Sequence, residues 1–472
     1  MQSPSVLIRG ALWSSSGYGV VQVIRLGSNL LLARWLAPEA FGVLAIANSV
    51  QIGLMMLSDV GIGPSIIRHE RGRDPRFLDT LWTVQIARGL LLSLLAVSVA
   101  APLASLYDVP ELRGLLALIA FGGLTGSFTS TAVHTLAREQ RLGRLNLFEI
   151  FTQLAAYSVM LAVAYHTRSV WSLAVGGVAH GVLRSALSHC VLPGHRHRLA
   201  WDGGAIRDVL RFGRWILVST LITFLAGQSD RLLLGLLAPL SVLGVYAIAS
   251  GLALLPREVV GRMADAVILP YLSRSVRSDP TSLSPALQRV RSLLLPIGLL
   301  VSTLVATGAP HFFHLLYDER YRGAAELAPL LVLLGWIGAT QVPVGRALLA
   351  LGDSRPLASA NLARWAVGMA ASLSAYPLWG PAGFVLGLCV GAVAGAGVLH
   401  QAIGRHGIAV WLQDLTYVAA LAGIVWCSLV AQPSSGWPPG PAPTDPIALA
   451  VSMTLLTATA IWTVSRVASA AR

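Results

Sequence analysis

Leu36-Ala37-Pro38, followed by Gly42-Val43-x-Ala45-Ile46-Ala47, recurs as Leu237-Ala238-Pro239 followed by Gly244-Val245-x-Ala247-Ile248-Ala249. The offset is 201 residues up to the proline and 202 beyond it, so the second copy carries one inserted residue. Each copy joins two long apolar segments. Many secondary transporters are built from repeats of this size, with the substrate path between the halves. The repeat predicts equal numbers of helices between corresponding points of the two halves.

Composition places the chain in a membrane. Of its 472 residues, 55% are hydrophobic and 12% charged, at a mean hydropathy of +0.69. A soluble protein carries about 25% charge. The apolar segments leave no gap for a soluble domain. Cys190, Cys389 and Cys427 fall in apolar segments without paired spacing and read as small buried hydrophobes. No cleavable signal is expected, because Met1–Arg9 runs straight into a full-length span. The net charge of +13 comes from 34 arginines and no lysine. Without lysine there is no Walker A loop, no Schiff base and no Ser-Lys dyad, and no cofactor is expected. The basic balance points to anionic membrane lipids as neighbours rather than to nucleic acid.

A span needs roughly 20 apolar residues. About fourteen segments qualify: 11–35, 41–67, 80–106, 112–136, 145–165, 170–192, 213–236, 241–269, 293–314, 324–351, 356–378, 382–403, 412–430 and 446–467. Arginine placement orients them. With the N-terminus inside, cytoplasmic connections hold about 20 arginines, clustered at Arg68/Arg71/Arg73/Arg76, Arg138/Arg141/Arg144, Arg196/Arg198/Arg207/Arg211/Arg214 and Arg274/Arg277/Arg289/Arg291. The opposite connections hold about four: Arg113, Arg168, Arg320 and Arg322. Both termini are therefore expected in the cytoplasm. An even number of helices separates the repeat copies, so both run the same way through the bilayer, as a parallel repeat. The expected architecture is an all-α integral membrane protein. It has an N-terminal lobe of six helices (1–200), a C-terminal lobe of six (201–405) and two additional helices (406–472). The Pro-rich stretch 432–446 reads as an outside linker.

Ionisable residues inside spans are costly and face a cavity or a partner. Arg25 lies near the middle of span 1, Asp59 in the inner half of span 2, and Arg88 at similar depth in span 3. Glu149 is near the inner end of span 5 and Arg184 is in span 6. Span 8 carries Arg257, Glu258, Arg262 and Asp265; Arg346 is in span 10 and Arg364 in span 11. Arginine outnumbers acid there, which suits a phosphate or pyrophosphate held by guanidinium forks. Plain pairing competes with that reading. Asp59–Arg88 can be an interhelical ion pair, Glu258–Arg262 an i,i+4 pair, and Arg257 and Asp265 can snorkel. Arg25 is too deep to snorkel and has no acid within a turn. The expected cationic substrate-binding set is Arg25, Arg88, Arg184, Arg262, Arg346 and Arg364. The expected coupling or gating set is Asn29, Asp59, Asp230 and Glu258, with Asp230 aligning on Asn29 in the repeat. His195-x-His197 reads as a solvated basic loop rather than a metal site, and His180 as a hydrogen-bonded bundle residue.

These residues carry a family resemblance. Leu36-Ala37-Pro38-Glu39-x-Phe41-Gly42, with Asp59-x-Gly61-Ile62-Gly63, resembles the opening of the Wzx-type lipid-linked oligosaccharide flippases. Asp230-Arg231-x-x-x-Gly235 with Leu243-Gly244-x-Tyr246 is similar to that family's seventh-to-eighth helix signature. Leu316-Tyr317-Asp318-x-x-Tyr321-x-x-Ala324-Ala325, then Leu349-Ala350-x-Gly352-Asp353, resembles its ninth-to-eleventh helix pattern. The family often has Gly-x-x-Tyr before Tyr321; here Asp318-Glu319-Arg320 stands there. The resemblance implies the multidrug/oligosaccharidyl-lipid/polysaccharide exporter fold, with two six-helix lobes around a central cavity. It implies a sugar repeat unit on an undecaprenyl pyrophosphate carrier, moved across the bacterial cytoplasmic membrane. The implied partners are the polysaccharide polymerase and chain-length machinery.

Two other readings compete. A membrane polymerase or ligase needs catalytic groups in a sizeable outside loop, and only Ala309–Gly323, with His311, His314, Asp318, Glu319 and Arg320, offers any. A cationic-drug antiporter of the same fold needs an acidic cavity, whereas arginine is in excess here.

Overall fold

The computed structural model describes residues 4–58, 61–195 and 197–430, and every regular element among them is helical. The helices are α1 (Pro4–Trp35), α2 (Pro38–Leu57), α3 (Ile62–Arg68), α4 (Pro75–Leu106), α5 (Glu111–Ser127), α6 (Ala132–Arg138), α7 (Leu142–Thr167), α8 (Trp171–Cys190), α9 (Gly203–Leu237), α10 (Leu240–Ala253), α11 (Leu255–Met263), α12 (Leu269–Ser278), α13 (Leu283–Leu316), α14 (Arg322–Ala350), α15 (Arg355–Gly404) and α16 (Trp411–Val430). They overlie every expected span from 11–35 to 412–430. Among the described residues seven helices are long and apolar enough to cross a bilayer, or nine if each bent pair is one span. The chain is a multi-pass membrane protein. The segment 446–467, the Pro-rich linker and Asp59 lie outside the described residues.

Local chemistry sets the helix limits. Pro38 and Pro75 open α2 and α4, where a missing N–H costs nothing. The Asp74 carboxylate caps α4 by accepting the Arg76 amide at 3.1 Å. The expected continuous span 41–67 is instead two pieces. α2 stops at Leu57, and Gly61, at φ 72°, turns the chain in a left-handed conformation into α3. The expected span 112–136 bends by 59° between α5 and α6, and 241–269 by 42° between α10 and α11. A π-helical segment, Ala264–Ile268, then joins α11 to α12. α15 runs through two expected spans and breaks at Trp379–Gly380, where Gly380 has φ 55°.

The chain forms two compact units, Met1–Gly244 and Val245–Arg472. In the first, α4 packs on α5, α5 on α8, α7 on α8, α1 on α7, and α2 on α9. α9, which the sequence division assigns to the second lobe, thus packs on α2 within the first unit. In the second, α14 is central: it meets α11, α12, α13, α15 and α16. Its apolar window is 72% buried, against 22% for α4. α4 instead turns Leu90, Leu91, Leu94 and Val97 outward, as a lipid-facing helix does.

Candidate functional site

The first unit engages most of its intramembrane arginine. Arg184 on α8 meets Glu149 on α7 at 2.7 Å. Arg88 on α4 donates to the Met55 carbonyl at 2.7 Å and to Ser58 Oγ at 2.9 Å, closing the C-terminal end of α2. This is a cation serving orphan carbonyls at a negative helix end. Arg25 is half-buried on α1, and its charge reaches Tyr157 on α7. Asn29 is half-buried one turn further along α1. Asp230 is half-buried on α9. Two residues before it, Gln228 Oε1 accepts from Ser49 Oγ of α2 at 3.2 Å and from Arg231 at 3.0 Å.

In the second unit, Arg346 of α14 pairs with Asp265 of the π-helical segment at 2.8 Å. Asp265 therefore does not merely reach for the interface. Glu258 and Arg262 are both exposed on α11. Arg364 is half-buried on α15 where that helix crosses its own second half at Gly391 and Gly395.

Arg257 behaves differently. Its guanidinium lies over Gly338 of α14, where an added Cβ would stand 3.0 Å from Nε, and its stem passes Gly335. Among the described residues it makes no hydrogen bond or ion pair, and Glu258 is the one acid whose charge it feels. A half-buried arginine whose donors find no protein acceptor among the described residues is poised for an anion. Its neighbourhood with Glu258 and Arg262 hides this in the sequence, where local pairing and snorkelling explain it equally well.

Three features differ from the sequence reading. Arg291, expected in a cytoplasmic cluster, is fully buried, because α13 begins at Leu283 and carries it two turns into the helix. It binds Asp414 of α16, Gln413 Oε1 at 3.0 Å and the Thr340 carbonyl at 3.2 Å. Asp414 also accepts from Gln341 at 3.0 Å and meets His400 at 2.6 Å. His197, expected in a solvated loop, is 1% exposed at its side chain and packs under Trp82. His180 Nε2 is enclosed without a partner, contrary to the hydrogen-bonded role expected for it.

Comparison with known proteins fits this architecture. A profile for polysaccharide biosynthesis proteins matches residues 31–326, and the chain belongs to that family. Relatives include the amylovoran biosynthesis protein AmsL of Erwinia amylovora, 24% identical over 58% of this chain and 71% of that protein. The lipopolysaccharide biosynthesis protein WzxC of Escherichia coli is 21% identical over 73% of this chain and 70% of that one. Among solved structures, the lipid II flippase MurJ in an inward closed conformation superposes with a TM-score of 0.68. It covers 95% of this chain and 98% of its own, at 12% identity. An inward-facing multidrug resistance MATE transporter gives 0.61 over 85% and 96%, at 16% identity. The chain shares the fold of these two structures.

Proposed function

We propose that the protein is a flippase that carries a lipid-linked oligosaccharide repeat unit across the bacterial cytoplasmic membrane during surface polysaccharide assembly. Membership of the polysaccharide biosynthesis family on an exporter fold carries this reading. The chemistry agrees with it: intramembrane arginine outnumbers acid on these helices, whereas a cation exporter needs an acidic cavity. The substrate's pyrophosphate is taken by Arg257, with Arg25, Arg262 and Arg364 as further cations. Arg88, Arg184 and Arg346 are held by protein acceptors and shape the helices.

In this reading both termini are cytoplasmic, and two repeat-related lobes rock to expose the substrate alternately. Asn29, Asp59, Asp230 and Glu258 serve coupling or gating. The protein acts on no covalent bond, and the polymerase and chain-length machinery take over its product. Expression in a flippase-null strain tests the reading: wild type restores surface polysaccharide. Failure of a well-expressed wild type to do so contradicts it, and full rescue by Arg25→Ala removes Arg25 from the binding set.

A further inference from the structure

The break between α5 and α6 leaves backbone groups that no helical ladder serves, and neighbouring side chains serve them. Gln85 Nε2 donates to the carbonyls of Ser127 at 2.7 Å and Thr129 at 3.0 Å. Trp82 Nε1 donates to the Phe128 carbonyl at 3.2 Å, which His189 Nε2 also reaches at 2.8 Å. On the other side, the Ser130 amide donates to Ser188 Oγ at 2.9 Å and the Thr131 amide to His197 Nε2 at 3.2 Å. The hydroxyls of Ser130 and Thr131 lie 3.0 and 3.2 Å from that same nitrogen.

A ring nitrogen that accepts a backbone N–H carries no proton. Nε2 of His197 is therefore bare, and Nδ1 holds the ring's proton, directed at Asp79 Oδ1 3.3 Å away. The ring stacks on Trp82 with centroids 5.3 Å apart. Every other bond that serves the break comes from a group that keeps its role from acidic to neutral pH, or from His189, which serves a carbonyl and keeps a donor when protonated. His197 alone would lose its role on taking up a proton, because an N–H cannot accept an N–H.

We propose that the α5–α6 break is an acid-sensitive hinge with His197 as its switch: a proton on Nε2 ends the bond from Thr131 and drives the ring from its seat under Trp82, freeing the break to flex. The charged and titratable groups facing His197 are Asp79 from α4, His189 from α8 and His195 on its own segment. Arg138 of α6 is turned away, donating to the carbonyls of Ile66, Ile67 and His69. Burial pulls the His197 pKa below its ordinary 6.5, Asp79 works against that, and the charges of His189 and His195 add to it. The seated ring thus binds a proton less readily than the released ring. The closed hinge is favoured above about pH 6.5, and that preference is lost as pH falls below it.

This inference rests on the first unit alone and does not depend on the transported substrate. Hydrogen exchange of the full chain in nanodiscs, at about pH 5.5 and about pH 7.5 and corrected for intrinsic rates, tests it. Amides 128–133 of wild type are expected to lose about tenfold protection at the lower pH. His197→Gln is expected to keep protection at both, because its amide oxygen can accept from Thr131 and its amide nitrogen can donate to Asp79. Equal protection of the wild type at both pH values overturns the proposal, as does an unchanged loss in His197→Gln. The wild-type pair decides the matter even if the variant does not fold.

Discussion

Gly42 and Gly244, counterparts in the internal repeat, meet each other in space within the first unit. A Cβ on Gly42 would run into Leu240 and stand 3.3 Å from the Gly244 nitrogen; one on Gly244 would run into Pro38 and stand 3.1 Å from the Gly42 nitrogen. Leu240 directly follows Pro239, the repeat counterpart of Pro38, so each glycine packs on the opening of the other copy's helix. Two helix starts lie backbone to backbone, which only glycine permits in a small-residue crossing. Gly244→Ala is expected to lower stability by about 1–3 kcal/mol, the usual cost of overpacking. Gly227→Ala, with nothing within 4 Å of its Cβ position, is expected to leave it unchanged. Thermal unfolding of the purified chain reads both.

Among the described residues the Arg291–Asp414 pair is the most deeply buried ion pair, and breaking it is expected to cost the most. Asp414→Ala strands a fully buried guanidinium, and a loss of about 3–5 kcal/mol is expected. The double replacement Arg291→Met with Asp414→Leu is expected to recover most of it, since a well-packed apolar pair avoids the desolvation cost. Unfolding midpoints of the two variants make the comparison.

Arg184 and Glu149 are each about one-third exposed, so their pair contributes only about 0.2–1 kcal/mol. If Arg184 serves α7–α8 packing, the exchange Arg184→Glu with Glu149→Arg keeps polysaccharide export near wild type. Arg184→Glu alone is expected to reduce it. A swap as inactive as the single change would return Arg184 to the substrate-binding set.

Gly338 seats Arg257, so enlarging it acts through the arginine. Gly338→Val is expected to displace the guanidinium and slow translocation about as much as Arg257→Gln does. Neither is expected to shift the unfolding midpoint as far as Asp414→Ala. The ratio of translocation loss to stability loss is the quantity to measure.

Composition and the lengths of the apolar runs made the membrane class and most helix positions legible, and the repeat singled out the glycines that later proved to touch. Other features depend on geometry that one sequence does not encode. Glu149 and Arg184 lie on different helices, and only the α7–α8 packing brings them together. Arg291 reads as a loop residue until α13 is seen to start at Leu283. The break near Gly61 hides in a stretch long enough to read as one span despite Ser58 and Asp59, because glycine there is as compatible with close packing as with a turn. His197 looks solvated among arginines, although its ring fills a seat made by Trp82, Asp79 and Thr131.

Half-buried arginine on this fold is proposed to carry an anionic lipid-linked sugar. The most direct measurement is the rate at which a fluorescent undecaprenyl-pyrophosphate oligosaccharide crosses the bilayer of proteoliposomes. Wild type is expected to move the lipid well above the rate of empty vesicles, and Arg257→Gln, equally folded, to fall toward it by about tenfold, the loss of one charge-assisted contact. Movement no faster than in empty vesicles, or an Arg257→Gln rate equal to wild type, would contradict the account.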